Sequence, residues 1–176
     1  VYMSDTGFKI FKDKDLWVVT NPASNLKLAS GIAPITELQE YGINIALGTD
    51  GPASNNALDM FREMFLTTAL QKFKTKDASA CSAESVLKMA TVGSAKAMNL
   101  NHADILEVGK KADLIVIDLN QPNMNPIYNI KNNLVYSGSK QNVKLTMVNG
   151  NILYQDGKFL TVDANEVYSM CNKLKF

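Results

Sequence analysis

The chain has 176 residues, of which 46% are hydrophobic and 20% charged, and its formal net charge is +1. This length suits one domain, or one domain and a fragment, and the composition is that of a soluble globular protein. The even charge balance argues against a nucleic-acid-binding surface, and no apolar run approaches the roughly 20 residues that span a bilayer. Two cysteines, Cys81 and Cys171, and one histidine, His102, are too few for a disulfide framework or a zinc site of His and Cys alone. Such sparse cysteine usage favours a reducing, cytoplasmic setting.

The first half of the chain alternates between strand and helix signals. Ser4 is a suitable cap for a short helix, and the apolar runs at 16–20 and 43–47 are typical of strands buried on both faces. Gly93 and Ala95 keep one predicted helix slim, which suits close packing against another element. The other helices of this half are predicted over 34–41, 57–74 and 83–99. The alternation predicts parallel α/β units.

The helix over 57–74 has apolar or small residues at three- and four-residue spacing, which predicts its buried face. These residues are Leu58, Phe61, Met64, Phe65, Thr68 and Ala69. The segments 21–31 and 48–52 each follow a predicted strand. Because they are rich in small residues and helix breakers, both segments are predicted as loops.

From about residue 105 the pattern becomes that of a β module. Strands are predicted over 112–118, 133–136, 144–148 and 152–154, and a last helix over 163–174. Asn149 and Gly150 separate two of these strands and predict a hairpin, because both residue types tolerate positive φ. We therefore expect two parts, 1–104 and 105–176. Neither looks complete, since two strands cannot form a parallel sheet with both faces covered.

Asp50 is the strongest candidate for chemistry in the sequence. A buried apolar strand leads to it, and in parallel α/β folds active sites lie at the carboxyl ends of strands. A carboxylate at such a position can bind a metal or act as a general base. The alternative is that Asp50 closes an Asp-Gly turn or caps the next helix.

Other candidate residues carry weaker signals. The loop after the first strand contains Asn25, whose amide could line a substrate pocket, but on residue type alone an Asn-Pro turn and a flexible loop explain this segment better. His102 lies in a polar connection and is typical of a surface histidine. Cys81 has no nearby His or Asp partner, so it does not fit a nucleophile.

Several blocks, taken in order and spacing, resemble the amidohydrolase superfamily. The blocks are Asn21–Gly31, Leu47–Asn56, Leu106–Val116, Leu134–Ser137 and Val148–Gly150. They are most similar to the branch of 5-methylthioadenosine/S-adenosylhomocysteine deaminases and triazine chlorohydrolases. The resemblance extends from Val1 to about Val167.

This resemblance implies an α/β fold: a metal-dependent (β/α)8 barrel with a small β-sandwich built from both chain ends. It implies that 1–104 are the last two β/α units of the barrel, and that 105–176 are the C-terminal half of the sandwich with a terminal helix. By the same resemblance, Asp50 binds a divalent metal, commonly zinc, and accepts a proton from the metal-bound water. Ser54 matches a position that contacts substrate, and Asn25 lies in a loop near the substrate.

The chain departs from the family in its metal ligands. The family also uses a His-x-His pair, two further histidines and a glutamate, and none of these is present. The last of the missing histidines precedes a segment like the one that begins at Val1. We therefore expect a C-terminal fragment that is inactive alone, with the remaining metal ligands outside it.

The resemblance also implies a function for the intact parent. The parent is expected to deaminate an adenosine-type substrate, 5-methylthioadenosine or S-adenosylhomocysteine, or to dechlorinate a triazine-like ring. Its partner would be a purine nucleoside or another heteroaromatic small molecule. The alternative is a truncated, non-catalytic binding or assembly module. Unpaired edges of the apolar strands also lead us to expect a homo-oligomer.

Overall fold

A computed structural model of the chain describes residues 2–174, so Val1, where the predicted fragment begins, lies outside the described residues. The first half contains two parallel strands, β1 (Trp17–Thr20) and β2 (Asn44–Leu47). Thr20 pairs with Leu47, so the two strands end together at one edge of the sheet. Both strands agree with the sequence prediction to within one residue.

Helices surround this strand pair. They are α1 (Asp5–Asp13), α2 (Pro22–Lys27), α3 (Ile35–Glu40), α4 (Pro52–Asn55), α5 (Met60–Thr75), α6 (Ala83–Lys88) and α7 (Ser94–Ala97). Ser4 caps α1 as predicted, because its hydroxyl accepts a hydrogen bond from the Gly7 amide at 3.2 Å. The loop predicted over 21–31 is wrong, since α2 begins at Pro22, whereas the loop predicted over 48–52 is present up to Gly51, after which α4 begins. Each begins with a proline, whose fixed φ suits the first helical position.

The helix predicted over 83–99 is present, but part of it is π-helical instead of α-helical. A π-helical segment, Met89–Gly93, joins α6 to α7. This segment packs against β2, as the small residues of the predicted helix suggested.

The second half contains a four-stranded antiparallel sheet. Its strands, in both chain and spatial order, are β3 (Leu114–Ile117), β4 (Val143–Val148), β5 (Asn151–Gln155) and β6 (Lys158–Phe159). Asn149 and Gly150 have φ angles of 49° and 78°, which confirms the predicted hairpin between β4 and β5. The last helix, α9, spans Ala164–Lys173, close to the prediction.

The strand predicted over 133–136 is wrong. The segment begins as a helical turn, α8 (Ile130–Asn132), and continues as a π-helical turn, Asn133–Ser137. The Asn129 side chain starts the turn by accepting hydrogen bonds from the backbone amides of Lys131 and Asn132. This cap outweighs the strand preference of the following residues. Short 3-10 turns at Pro122–Met124 and Lys140–Asn142 complete the connection between β3 and β4.

The hydrophobic core lies between the parallel strands and the helices of the first half. Its buried members include Phe8, Ile35, Leu38, Ile43, Ile45, Leu47, Phe61, Met64, Val86, Met89 and Val135. Ile117 and Val143 pack against the core from the antiparallel sheet. β2 is buried as predicted, but Val19 in β1 is half exposed, so β1 is not buried on both faces. Across residues 2–174, the helices lack the length and apolar character that crossing a membrane needs.

Candidate active site

The candidate site lies where the two parallel strands end. Because β1 and β2 run in register, the segments that follow them leave the sheet at the same edge. The first segment continues into α2, which carries Ser24 and Asn25. The second carries Asp50 and continues into α4, which carries Ser54. Chain segments 26 residues apart are thus brought together.

Hydrogen bonds from both segments fix the carboxylate of Asp50. The Ser24 hydroxyl donates to Oδ2 at 2.7 Å, and the Gly51 amide donates to Oδ1 at 2.7 Å. Ser24 is buried, whereas Asp50 is exposed. Each carboxylate oxygen keeps a further lone pair, so the group is held in place and remains available to a ligand.

The same hydrogen bonds set the charge of Asp50. The Ser24 hydroxyl, with smaller contributions from the Ser54 hydroxyl and the Gly51 amide, holds the pKa of Asp50 below its usual 3.8. The Ser54 hydroxyl also lies 3.1 Å from the Gly51 carbonyl oxygen. Since a hydroxyl has one hydrogen, Ser54 donates to one of these acceptors at a time. Asp50 is therefore ionised at neutral pH and can attract a cation.

The other two residues that the sequence singled out, Ser54 and Asn25, lie differently with respect to Asp50. Ser54 lies beside Asp50, and its hydroxyl contributes to the lowered pKa of that carboxylate. Asn25 follows the Asp50 partner Ser24 in α2 and is partly exposed. Within residues 2–174, the side chain of Asn25 forms no hydrogen bond, so its amide is free to meet a ligand.

Ser24 is the site residue that the sequence reasoning missed. The sequence points to Asn25 because an amide is a common substrate contact, whereas the hydroxyl that donates to Asp50 belongs to the neighbouring residue, Ser24. Pro22 was the available signal, since a proline at the first helical position predicts a short helix. A second connection between the segments also involves α2: the Lys27 ammonium donates to the Ala53 carbonyl at 3.1 Å and to the Asn56 side chain.

The donor set of the site fits one ligand of a metal ion. A carboxylate oxygen is an accepted zinc ligand, but a catalytic zinc site has about three protein ligands. Among the described residues, no group of three or more His, Cys, Asp or Glu side chains could hold a metal. His102 lies in an exposed turn, as expected. Within residues 2–174, this site can therefore offer a metal one carboxylate ligand, from Asp50.

Comparison with known proteins shows the family of the chain. Residues 1–153 match the amidohydrolase family. The chain belongs to the amidohydrolase family. It is 41% identical over 173 residues to a 5'-deoxyadenosine deaminase of Methanosarcina mazei, covering 98% of this chain and 40% of the relative. It is 43% identical over 168 residues to a 5-methylthioadenosine/S-adenosylhomocysteine deaminase of Syntrophobacter fumaroxidans, covering 95% of this chain and 38% of the relative. The chain thus spans about two fifths of the length of these relatives.

Solved structures share the fold. An adenosine deaminase from Xanthomonas campestris with bound zinc matches with a TM-score of 0.93 and 32% identity, covering 97% of this chain and 39% of that chain. An atrazine chlorohydrolase from Arthrobacter aurescens, complexed with zinc, matches with a TM-score of 0.84 and 24% identity, covering 98% of this chain and 38% of that chain. The structural match to these proteins therefore extends over nearly the whole chain.

Proposed function

We propose that this chain is the C-terminal part of a metal-dependent amidohydrolase that hydrolytically deaminates an adenosine-type nucleoside. The observation that carries the proposal is the Asp50 carboxylate, fixed by Ser24 at the carboxyl edge of two parallel strands. Family membership and the names of the relatives support it. The free thiols of Cys81 and Cys171 support a reducing, cytoplasmic location.

The architecture of the complete enzyme forms part of this proposal. Residues 1–104 are the last two β/α units of a (β/α)8 barrel, and 105–176 are the C-terminal half of a small sandwich with a terminal helix. The parallel pairing of β1 and β2, with helices between and after them, supports the first assignment. The four-stranded antiparallel sheet supports the second.

In the proposed reaction, Asp50 would hold the metal and would accept a proton. Zinc, which is present in related structures, lowers the pKa of a coordinated water when bound. Its other ligands come from outside this chain. The lowered pKa keeps the Asp50 carboxylate ionised, which suits a metal ligand, and the same carboxylate is the group proposed to take the proton of the attacking water. Ser24 keeps that carboxylate oriented throughout.

The proposed substrate is an adenosine whose 5' position is modified, as in 5'-deoxyadenosine, 5-methylthioadenosine or S-adenosylhomocysteine. Water adds to C6 of the purine, the bond from C6 to the amino nitrogen breaks, and ammonia leaves. Ser54 and Asn25 contact the substrate. Two observations support these contacts. Ser54 lies beside Asp50, and the Asn25 side chain makes no internal hydrogen bond in the described part of the chain.

Deamination is a better proposal than dechlorination of a triazine. The adenosine-type deaminases are 41% and 43% identical to the chain, whereas the atrazine chlorohydrolase is 24% identical and shows only the shared fold. A non-catalytic binding module remains the competing function. It predicts that the complete protein releases no ammonia from any adenosine.

The test is Asp50→Asn in the complete enzyme. Asparagine keeps the shape of the side chain but cannot take a proton, so turnover should fall by at least about 100-fold. Asp77→Asn is the matched control, because Asp77 is also exposed and also accepts hydrogen bonds from a serine hydroxyl and a backbone amide. Ammonia release within tenfold of the unmodified enzyme would overturn the role of Asp50.

A further inference from the structure

Glu63 is a buried carboxylate that the catalytic proposal does not use. It lies in α5, and its relative exposure is 0%. A carboxylate is costly to bury unless hydrogen bonds and charge compensate it. At an ordinary core position of this helix, an apolar side chain would cost less free energy to bury. The hydrogen-bond partners of Glu63 therefore indicate what this carboxylate does.

The two carboxylate oxygens of Glu63 contact different segments of the candidate site. Oε2 accepts a hydrogen bond from the backbone amide of Ala23 at 2.9 Å. Oε1 accepts one from the side-chain amide of Asn55 at 2.7 Å. Arg62 lies 3.8 Å from Oε1 and supplies a positive charge.

Each contact reaches a neighbour of the Asp50 hydrogen bond. Ala23 directly precedes Ser24, the hydroxyl donor. The Asn55 side chain also donates to the Thr49 carbonyl at 2.5 Å, and Thr49 directly precedes Asp50. A single carboxylate therefore connects the backbone beside the donor to the backbone beside the acceptor.

We infer that Glu63 is a positioning residue, which holds the segments after β1 and β2 at the separation that the Ser24–Asp50 hydrogen bond requires. This inference rests on the proposed function, because it gives Glu63 a role in the turnover by Asp50. Glu63 acts through the backbone and forms no hydrogen bond with Asp50 itself.

The decisive variant is Glu63→Gln in the complete enzyme. A carboxamide has one acceptor oxygen and one donor nitrogen. Its oxygen can accept the hydrogen bond from Ala23 or the one from Asn55, but its nitrogen then faces the other donor and no hydrogen bond forms there. Displacing a reacting group by a fraction of an ångström costs much in rate, so kcat should fall about tenfold to 100-fold. Because the substrate contacts themselves remain, KM should change by less than about threefold.

The control is Gln71→Leu. Gln71 lies two turns further along α5 and is equally buried, but its side chain donates to the Ala33 carbonyl at 2.9 Å, away from Asp50. This variant should lower the melting temperature and leave kcat within about twofold. If Glu63→Gln keeps the kcat of the unmodified enzyme, or loses no more than the control, the positioning role is refuted.

Backbone hydrogen exchange provides a readout that does not depend on catalysis. In Glu63→Gln, peptides covering 21–28 and 48–56 should exchange about tenfold faster, while Gln71→Leu leaves both unchanged. Unchanged exchange in Glu63→Gln would overturn the inference. Faster exchange in an enzyme that deaminates no adenosine would support the positioning role and refute the proposed function, so the two failures are distinguishable.

Discussion

A Cβ atom added to Gly93 would lie 2.6 Å from the carbonyl oxygen of Ile45, so the π-helical segment contacts β2 backbone to backbone. Ser94 follows directly, and its hydroxyl lies 2.8 Å from the Leu47 carbonyl oxygen. The helix thus approaches the strand that leads to Asp50 more closely than any side chain would allow.

Gly93→Ala should therefore destabilise the chain. Helix propensity alone predicts the opposite, since alanine is about 1 kcal/mol better than glycine inside a helix. The clash with Ile45 is with backbone, which cannot move aside, and overpacking of this kind costs about 1–3 kcal/mol. Denaturant unfolding of both proteins measures the difference. A Gly93→Ala protein with raised stability would mean that the helix and β2 separate at no cost.

Gly51→Ala is the control for this comparison. The added Cβ atom meets nothing within 4 Å there, and Gly51 has an ordinary φ of −78°. Only the modest preference of a helix N-cap for glycine over alanine is lost, so the change should be below about 1 kcal/mol.

The close packing at Gly93 could be predicted from the sequence, but the polar interior of α5 could not. Small residues in a helix signal close approach, whereas Leu58 and Phe65 satisfied the apolar spacing and are about half exposed. Buried positions on α5 include Glu63 and Gln71. The spacing of apolar residues predicts which face of a helix is hydrophobic. It cannot predict a buried carboxylate that accepts a hydrogen bond from an amide 40 residues away.

In the candidate site, too, one residue could be predicted from the sequence and another could not. Asp50 could be found because a strand end, a rule of the parallel α/β fold, marks its position. Ser24 could not, since its contact with Asp50 depends on the pairing register of β1 with β2 and on the short helix α2. Local pattern specifies neither of these.

The two cysteines should differ strongly in reactivity. Burial raises the pKa of Cys81 to about 11, while Cys171 is exposed. Because the thiolate is the nucleophile, a thiol reagent at pH 8 should modify Cys171 at least about 100-fold faster than Cys81. Mass spectrometry of labelled peptides over time measures both rates. In denaturant the two rates should converge, and equal rates in the folded chain would contradict the burial of Cys81.

The same shift makes stability fall at alkaline pH. The Cys81 pKa is raised from 9.0 to about 11 in the folded chain, so the folded state favours the protonated thiol. This contribution is fully present below pH 9 and is lost as the pH rises towards 11. Cys81→Ala should flatten the decline of the unfolding midpoint over this window. A decline of the same steepness in Cys81→Ala would show that another group causes it.

The 176-residue chain alone should hold no stoichiometric zinc. Asp50 offers one ligand, and a catalytic zinc site needs about three from the protein. Elemental analysis after dialysis against a weak chelator should find well below one zinc per chain, and Asp50→Ala should not change the value. One zinc per chain, lost in Asp50→Ala, would reveal ligands that the described residues do not bring together.

The 176-residue chain should also self-associate. β3 is an edge strand of the antiparallel sheet, and Ile115 and Val116 on it are about half exposed. Such an edge offers unpaired backbone groups and apolar surface to a second copy. Ile115→Lys should shift the chain towards a monomer in sedimentation velocity, because burying an unpaired ammonium opposes pairing. Val108→Lys is the matched control: Val108 is fully exposed in a loop outside the sheet, so its replacement should leave the association unchanged. A monomer at every concentration in the unmodified chain would show that this edge does not template pairing.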